Sequence, residues 1–200
     1  YGAYLADGSE YRGDYAVDDA ALRRFHRERL EILAPLAELV AFETIPCLRE
    51  AEQIAAVLAE HPVPAWVSLC CRDDAHVGHG EPIERCAQAV LDLPCVVAVG
   101  VNCCAPVHVE GLVSRLRAIT SRPLLAYPNA GERYADGSWC GDRIAPDELV
   151  ALAERWHAAG ARLIGGCCRT TPHHIAALDR WRRERGRSAH SASSSSECST

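Results

Sequence analysis

The stretch "ARLIGGCCRTTPHHI", residues 161–175, contains a whole structural unit in miniature. "ARLIGG" (161–166) reads as a strand ending on two glycines, which give the backbone freedom to turn. Cys167 and Cys168 follow side by side. Thr171 then stands as a helix N-cap with Pro172 in the first turn, and "TPHHIAALDRWRRER" reads as the helix. Strand, short turn and helix make the βα unit of a parallel sheet.

Upstream the same unit recurs. A helix at about 18–34 precedes a strand at 36–43, "LAELVAFE". Leu48, Ala51, Ile54, Ala55 and Leu58 share one helical face before the strand "PAWVSLC" (64–70). Ile83, Cys86, Ala87 and Val90 mark the next helix. "CVVAVGVN" (95–102) is a nearly continuous apolar run, as expected of a strand covered on both faces. Leu112, Val113, Leu116 and Ile119 mark a helix, "PLLAYPN" (123–129) a strand, and Leu149, Leu152, Ala153 and Trp156 another helix. Five strands alternate with helices, so the class is α/β. The Ser-rich tail 187–200, with Cys198, is expected to be disordered, leaving one domain at 1–186.

Parallel sheets carry their chemistry at the carboxyl ends of the strands. Those ends supply Glu43, Cys70–Cys71, Asn102–Cys103–Cys104, Asn129 and Cys167–Cys168. Two adjacent thiolates are too few for a stable zinc site, and Cys103 is the natural third ligand. Three ligands leave one position open, the arrangement of a catalytic metal. Spacing alone leaves buried thiols and a vicinal disulfide or redox pair open as well.

Composition removes several classes. A net charge of -6 gives no basic surface for nucleic acid. No apolar run approaches a membrane span. Eleven cysteines in 200 residues would suggest disulfides only in a small secreted chain; here they favour a reducing, cytoplasmic setting. The chain has no methionine and begins at Tyr1, from which an N-terminal part is expected to be missing.

At this point the residues carry a resemblance. "VGVNCC" (99–104), followed by "IGGCCRTTPHHI", resembles the homocysteine S-methyltransferase family, as do "FETIPCLREAE" (42–52), "AYPNAGERY" (126–134) and the opening "YGAYLADGSEYRGDY". The resemblance covers essentially residues 1–182 and looks most like the branch that uses S-methylmethionine. It implies a (β/α)8 TIM barrel, of which this chain carries about strands four to eight. It implies that Cys103, Cys167 and Cys168 bind Zn²⁺ and that the homocysteine thiol takes the open position. It implies that Glu43 holds the homocysteine amino group; Asn129, at a strand end on the same face, is a candidate substrate contact. The implied reaction is methyl transfer from a sulfonium donor, S-methylmethionine or S-adenosylmethionine, giving methionine. The alternative is a fragment that keeps the metal but does not turn over.

Other features have plainer readings. Cys70–Cys71 with His76 and His79 could form a second metal set, though a loop with exposed histidines is the simpler expectation. Cys104 is expected to pack, and His173 and His174 to be solvated. The basic run 180–187 is expected at a helix C-terminus, where cations are favourable.

Overall fold

The computed structural model describes residues 1–135 and 137–195. It begins with a short helix α1 (Gly2–Leu5), a 3-10 turn at Ser9–Tyr11 and helix α2 (Asp19–Leu33). The Asp18 carboxylate accepts the Ala21 N–H at 2.7 Å and caps α2. A further 3-10 turn, Ala34–Leu36, intervenes before strand β1 (Val40–Ile45). The first strand therefore starts later than the expected 36–43. Pro35 has a fixed φ and no N–H, which suits the turn and not a strand.

The alternation then holds to the end. In order come α3 (Leu48–Glu60), β2 (Ala65–Leu69), α4 (Ile83–Leu91), β3 (Val96–Asn102), α5 (Val109–Ile119) and β4 (Leu124–Tyr127). A hairpin of β5 (Arg133–Ala135) and β6 (Ser138–Cys140) follows, then α6 (Pro146–Ala159), β7 (Ala161–Ile164) and α7 (Pro172–Ser195). Five strands pair in parallel in the order β1-β2-β3-β4-β7, so the chain is an α/β protein with one parallel sheet. The antiparallel hairpin was not legible, because three-residue strands are shorter than any window that reveals period-two alternation.

Each helix from α2 to α7 packs against the next, forming one layer over the sheet. Ile54, Val57 and Leu58 of α3, Ile83 and Val90 of α4, Leu112 and Leu116 of α5, and Leu149 and Trp156 of α6 are fully buried there. They meet Val67, Leu69, Val99, Val101, Leu124 and Ala126 in a single core. Each such side chain contributes about 1.5–3 kcal/mol on burial. β3 fits only because position 100 is glycine: a Cβ there would lie 2.1 Å from the Leu125 carbonyl oxygen on β4.

Part of the sheet lies open away from that core. Trp66, Leu125, Tyr127 and Leu163 line a cavity of about 220 Å³, with Leu163 46% exposed. Helix α7 runs through Gly186 to Ser195, into the segment expected to be disordered; residues 186–195 contain no proline to stop it. The basic run therefore sits inside the helix, where Arg182 and Arg183 pair with Asp179. Cys198 lies outside the described residues. Among the described residues no helix is long and apolar enough to cross a membrane.

Candidate metal centre

Three sulfurs converge where β3 and β7 end. The Sγ atoms of Cys103, Cys167 and Cys168 all lie within 4.8 Å of one another. Cys103 Sγ is 3.7 Å from Cys168 Sγ and 2.6 Å from Cys167 Sγ. Tetrahedral zinc–sulfur bonds of about 2.3 Å put sulfurs within about 4 Å of one another, so the first separation suits a shared metal and the second must open on binding. All three are free thiols here.

The convergence is a backbone effect. Cys103 adopts φ 52° and Arg169 adopts φ 69°, both in the left-handed region that non-glycine residues rarely enter. The turn was expected to depend on conformational freedom at Gly165 and Gly166, but neither has positive φ. Gly166 is needed for room instead: a Cβ there would meet the Thr170 hydroxyl oxygen at 2.6 Å. Thr170 Oγ1 then donates to the Cys167 carbonyl at 2.7 Å and closes the turn. β4 and its loop hold both halves together. Cys103 N–H donates to the Tyr127 carbonyl, Cys167 N–H to Pro128 and Ala130 N–H to the Cys168 carbonyl.

Around this frame the buried polar groups are paired. Asn129 is buried; its Nδ2 donates to the Cys103 carbonyl at 3.1 Å and its Oδ1 accepts the Gly131 N–H at 2.8 Å. Both ends of its amide thus fix backbone, and its contribution to the site is to position Cys103. Asn102 does the same on the other side. Its Oδ1 accepts the Thr44 N–H at 2.8 Å and its Nδ2 donates to the Thr44 hydroxyl at 2.8 Å. Thr44 also has positive φ, 61°, a strained setting for a β-branched residue that costs about 1–3 kcal/mol. Three of the four non-glycine residues with positive φ among the described residues therefore border this site.

Glu43 is exposed on β1 and accepts a hydrogen bond from the Tyr127 hydroxyl at 3.0 Å. Ser68 Oγ lies 2.5 Å from that hydroxyl and 2.9 Å from Asn102 Oδ1. Tyr127 thus links Glu43 to the cysteine frame, through its side chain on one side and its carbonyl on the other. Tyr127 lies within the segment 126–134 but was not singled out there, and Ser68 carried no motif signal, since their contacts cross strands.

Charge repulsion shapes the thiols. Hydrogen bonds from Cys103 and Cys167 hold the Cys168 thiol far below the usual range, and the same contacts, with burial, push Cys103 far above it. One thiolate forms readily in such a cluster; a second beside it does not. A dication removes that repulsion, and thiolate ligands are held deprotonated by it. Three sulfur donors, Cys103 buried and Cys167 and Cys168 half-buried, with Cys103 lining open space, fit a borderline-soft metal such as zinc.

The remaining expectations sort themselves out. Cys104 is buried in the hydrophobic core. Cys70 and Cys71 are buried, and burial pushes their thiols well up. His76 pairs with Asp73 and His79 with Glu81, so they form no metal group with Cys70–Cys71 among the described residues. His173 is exposed, but His174 is buried at 3%. Its Nδ1 accepts the Thr171 N–H at 3.2 Å, which leaves Nε2 to donate to the Ile144 carbonyl at 2.9 Å. It closes the start of α7 as a Glu does in a capping box.

A cavity of about 320 Å³ opens beside Cys103, with Tyr11, Asn129, Glu132 and Trp139 in its wall. Glu132 was overlooked in the sequence although it lies within the segment 126–134.

Comparison with known proteins adds a family. A family model described as homocysteine S-methyltransferase matches residues 1–181. Homocysteine S-methyltransferase YbgG of Bacillus subtilis (strain 168) is 44% identical over 187 residues, a match covering 92% of this chain and 59% of that protein. Homocysteine S-methyltransferase of Escherichia coli (strain K12) is 45% identical over 184 residues, with 89% and 59% covered. The crystal structure of the Escherichia coli homocysteine methyltransferase MmuM in its metallated form superposes with a TM-score of 0.76 at 43% identity, covering 89% of this chain and 57% of that one. The chain thus spans somewhat over half the length of these relatives.

Proposed function

The chain belongs to the homocysteine S-methyltransferase family, and from that we propose that it takes part in zinc-dependent methyl transfer from a sulfonium donor to homocysteine, giving methionine. The observation that carries the reading is the convergence of Cys103, Cys167 and Cys168 beside an open cavity. Those three residues would hold the ion. Zinc held there supplies one thing, a deprotonated substrate thiol at neutral pH, where free thiols ionise near pH 8.5.

The chain's own residues do the rest. The exposed Glu43 carboxylate is free on one side to receive the homocysteine ammonium, while the Tyr127 hydroxyl fixes its direction. Asn129 and Asn102 hold the backbone that aims the sulfurs; a direct contact between the Asn129 amide and substrate would need it to leave Cys103 or Gly131. The homocysteine thiolate pair forms the new sulfur–carbon bond, and the donor's sulfur–methyl bond breaks with its electrons kept by the leaving sulfur. A positive and a negative charge vanish together, which a site that excludes water favours.

We also propose that the sheet corresponds to strands four to eight of a (β/α)8 barrel, with residues 1–186 as its substrate domain in the cytoplasm. Two features support this. Among the described residues β1 and β7 are the two edge strands of the sheet. The sheet's uncovered side carries Trp66, Leu125 and Leu163, apolar residues of the kind that fill a barrel interior.

The test is a metal and activity measurement on purified protein. About one zinc per chain, with methionine formed from homocysteine and S-methylmethionine, is expected. A Cys103→Ser protein that keeps stoichiometric zinc would overturn the reading.

A further inference from the structure

We infer that Tyr11, Tyr134 and Trp139 form the wall that receives the methylsulfonium group of the donor. The inference rests on the methyl-transfer reading above and adds the donor's location.

Tyr11 ends the 3-10 turn near the start of the chain, whereas Tyr134 and Trp139 face each other across the β5–β6 hairpin. The fold brings the three rings together. Tyr11 and Tyr134 centroids are 5.8 Å apart, Tyr11 and Trp139 6.3 Å, and Tyr134 and Trp139 5.4 Å. Gly8, with φ of 81°, leaves room for the approach: a Cβ there would lie 3.3 Å from both the Tyr134 ring and the Arg12 guanidinium. All three side chains line the 320 Å³ cavity that also exposes Cys103.

These rings pack on one another and not into the main core. None belongs to a hydrophobic core cluster of the described residues, and each is only half-buried. The cation–π contacts found among the described residues use Tyr4, Phe25 and Trp181, so none of them engages these three rings. Of the carboxylates nearby, Glu132 in the cavity wall is committed to Arg143 and Arg169, and Glu10 beside Tyr11 keeps a buried Oε2 without a hydrogen-bond partner.

A sulfonium suits such a wall. It has no N–H to donate, so directional hydrogen bonding cannot recognise it; an aromatic face can, through its quadrupole. Arg72 and Arg133 line the same cavity and offer partners for the carboxylate of an amino-acid donor. The arrangement also favours turnover. Methyl transfer converts the sulfonium to a neutral thioether, so the attraction disappears as the product forms.

The experiment compares two probes of the same shape on the chain: S-methylmethionine and its uncharged carbon isostere, homoleucine. Wild type should bind the sulfonium roughly tenfold more tightly, and Trp139→Leu and Tyr134→Leu should each remove most of that preference, whereas Tyr134→Phe keeps it within about twofold. Equal affinity of wild type for the two probes overturns the proposal without recourse to any variant. So does a folded Leu variant that retains the preference. Zinc content and homocysteine turnover on the same samples separate the two readings. Charge preference without methyl transfer defeats the function and spares the wall; methyl transfer with no charge preference defeats the wall alone.

Discussion

Arg169 grips Glu132 with three N–H···O contacts of 3.1 to 3.2 Å, joining the residue after the cysteine pair to the loop beyond β4. Arg143 completes the clamp at 3.1 Å. The two guanidinium groups hold the Glu132 carboxyl below the usual carboxylate range. The pair also spans the backbone that bends at Arg169 and so helps keep Cys168 turned toward Cys103.

Loosening that clamp should loosen the metal. Glu132→Gln removes the charge while preserving the shape, and Glu132→Ala removes both. We expect zinc affinity to fall by about 10–100-fold in the Ala protein, the range for residues that orient ligands without touching the metal. Competition with a chromogenic chelator measures it. Unchanged affinity in the Ala protein would remove Glu132 from the site.

Replacing any one of Cys103, Cys167 or Cys168 by Ser should abolish zinc retention and methyl transfer together. Cys86→Ala is the control. Cys86 is fully buried in α4 and packs in the core, so its loss should lower the melting temperature and leave zinc at one per chain. Elemental analysis after dialysis reads both results.

Glu43→Gln should raise KM for homocysteine about tenfold with little change in zinc content, since a full charge opposite the substrate ammonium is lost and the cysteine frame is not touched. Tyr127→Phe should give a smaller rise in the same direction, because it frees the Glu43 carboxylate to swing. Homocysteine kinetics unchanged in both proteins would sink the assignment.

Glu50 offers a stability test away from the metal. It is fully buried, and Tyr15 Oη donates to it at 2.8 Å while His26 Nε2 lies 2.8 Å away. Burial alone would raise its carboxyl; the largest opposing cause is hydrogen bonding to His26, and the carboxyl lies below its usual value. A depressed carboxyl contributes stability that is complete above its unfolded value and lost as the pH falls through the folded one. Melting temperature should therefore drop on acidification below about pH 4.5, and Glu50→Ala should cost about 3–5 kcal/mol at neutral pH and flatten the acid limb. Urea melts at pH 7 and pH 4 check both.

Much of this protein was already determined by its sequence. Apolar runs broken by turn residues gave the order of five strands and the helices between them, because burial on a sheet or helix face imposes a period that survives in one dimension. The placement of Cys103, Cys167 and Cys168 at strand ends followed from the same rule. Local chemistry that periodicity ignores was read less well: Pro35 delayed β1, and His174 turned inward to close α7. What only the tertiary structure decided is how separate strand ends meet. Left-handed turns at Cys103 and Arg169, the Glu132–Arg169 pair 37 residues apart, the Glu43–Tyr127 contact 84 residues apart and the approach of Tyr11 to Trp139 all depend on sheet register and loop packing. No periodicity within the chain encodes those distances, because they arise only once parallel pairing has placed distant carboxyl ends side by side.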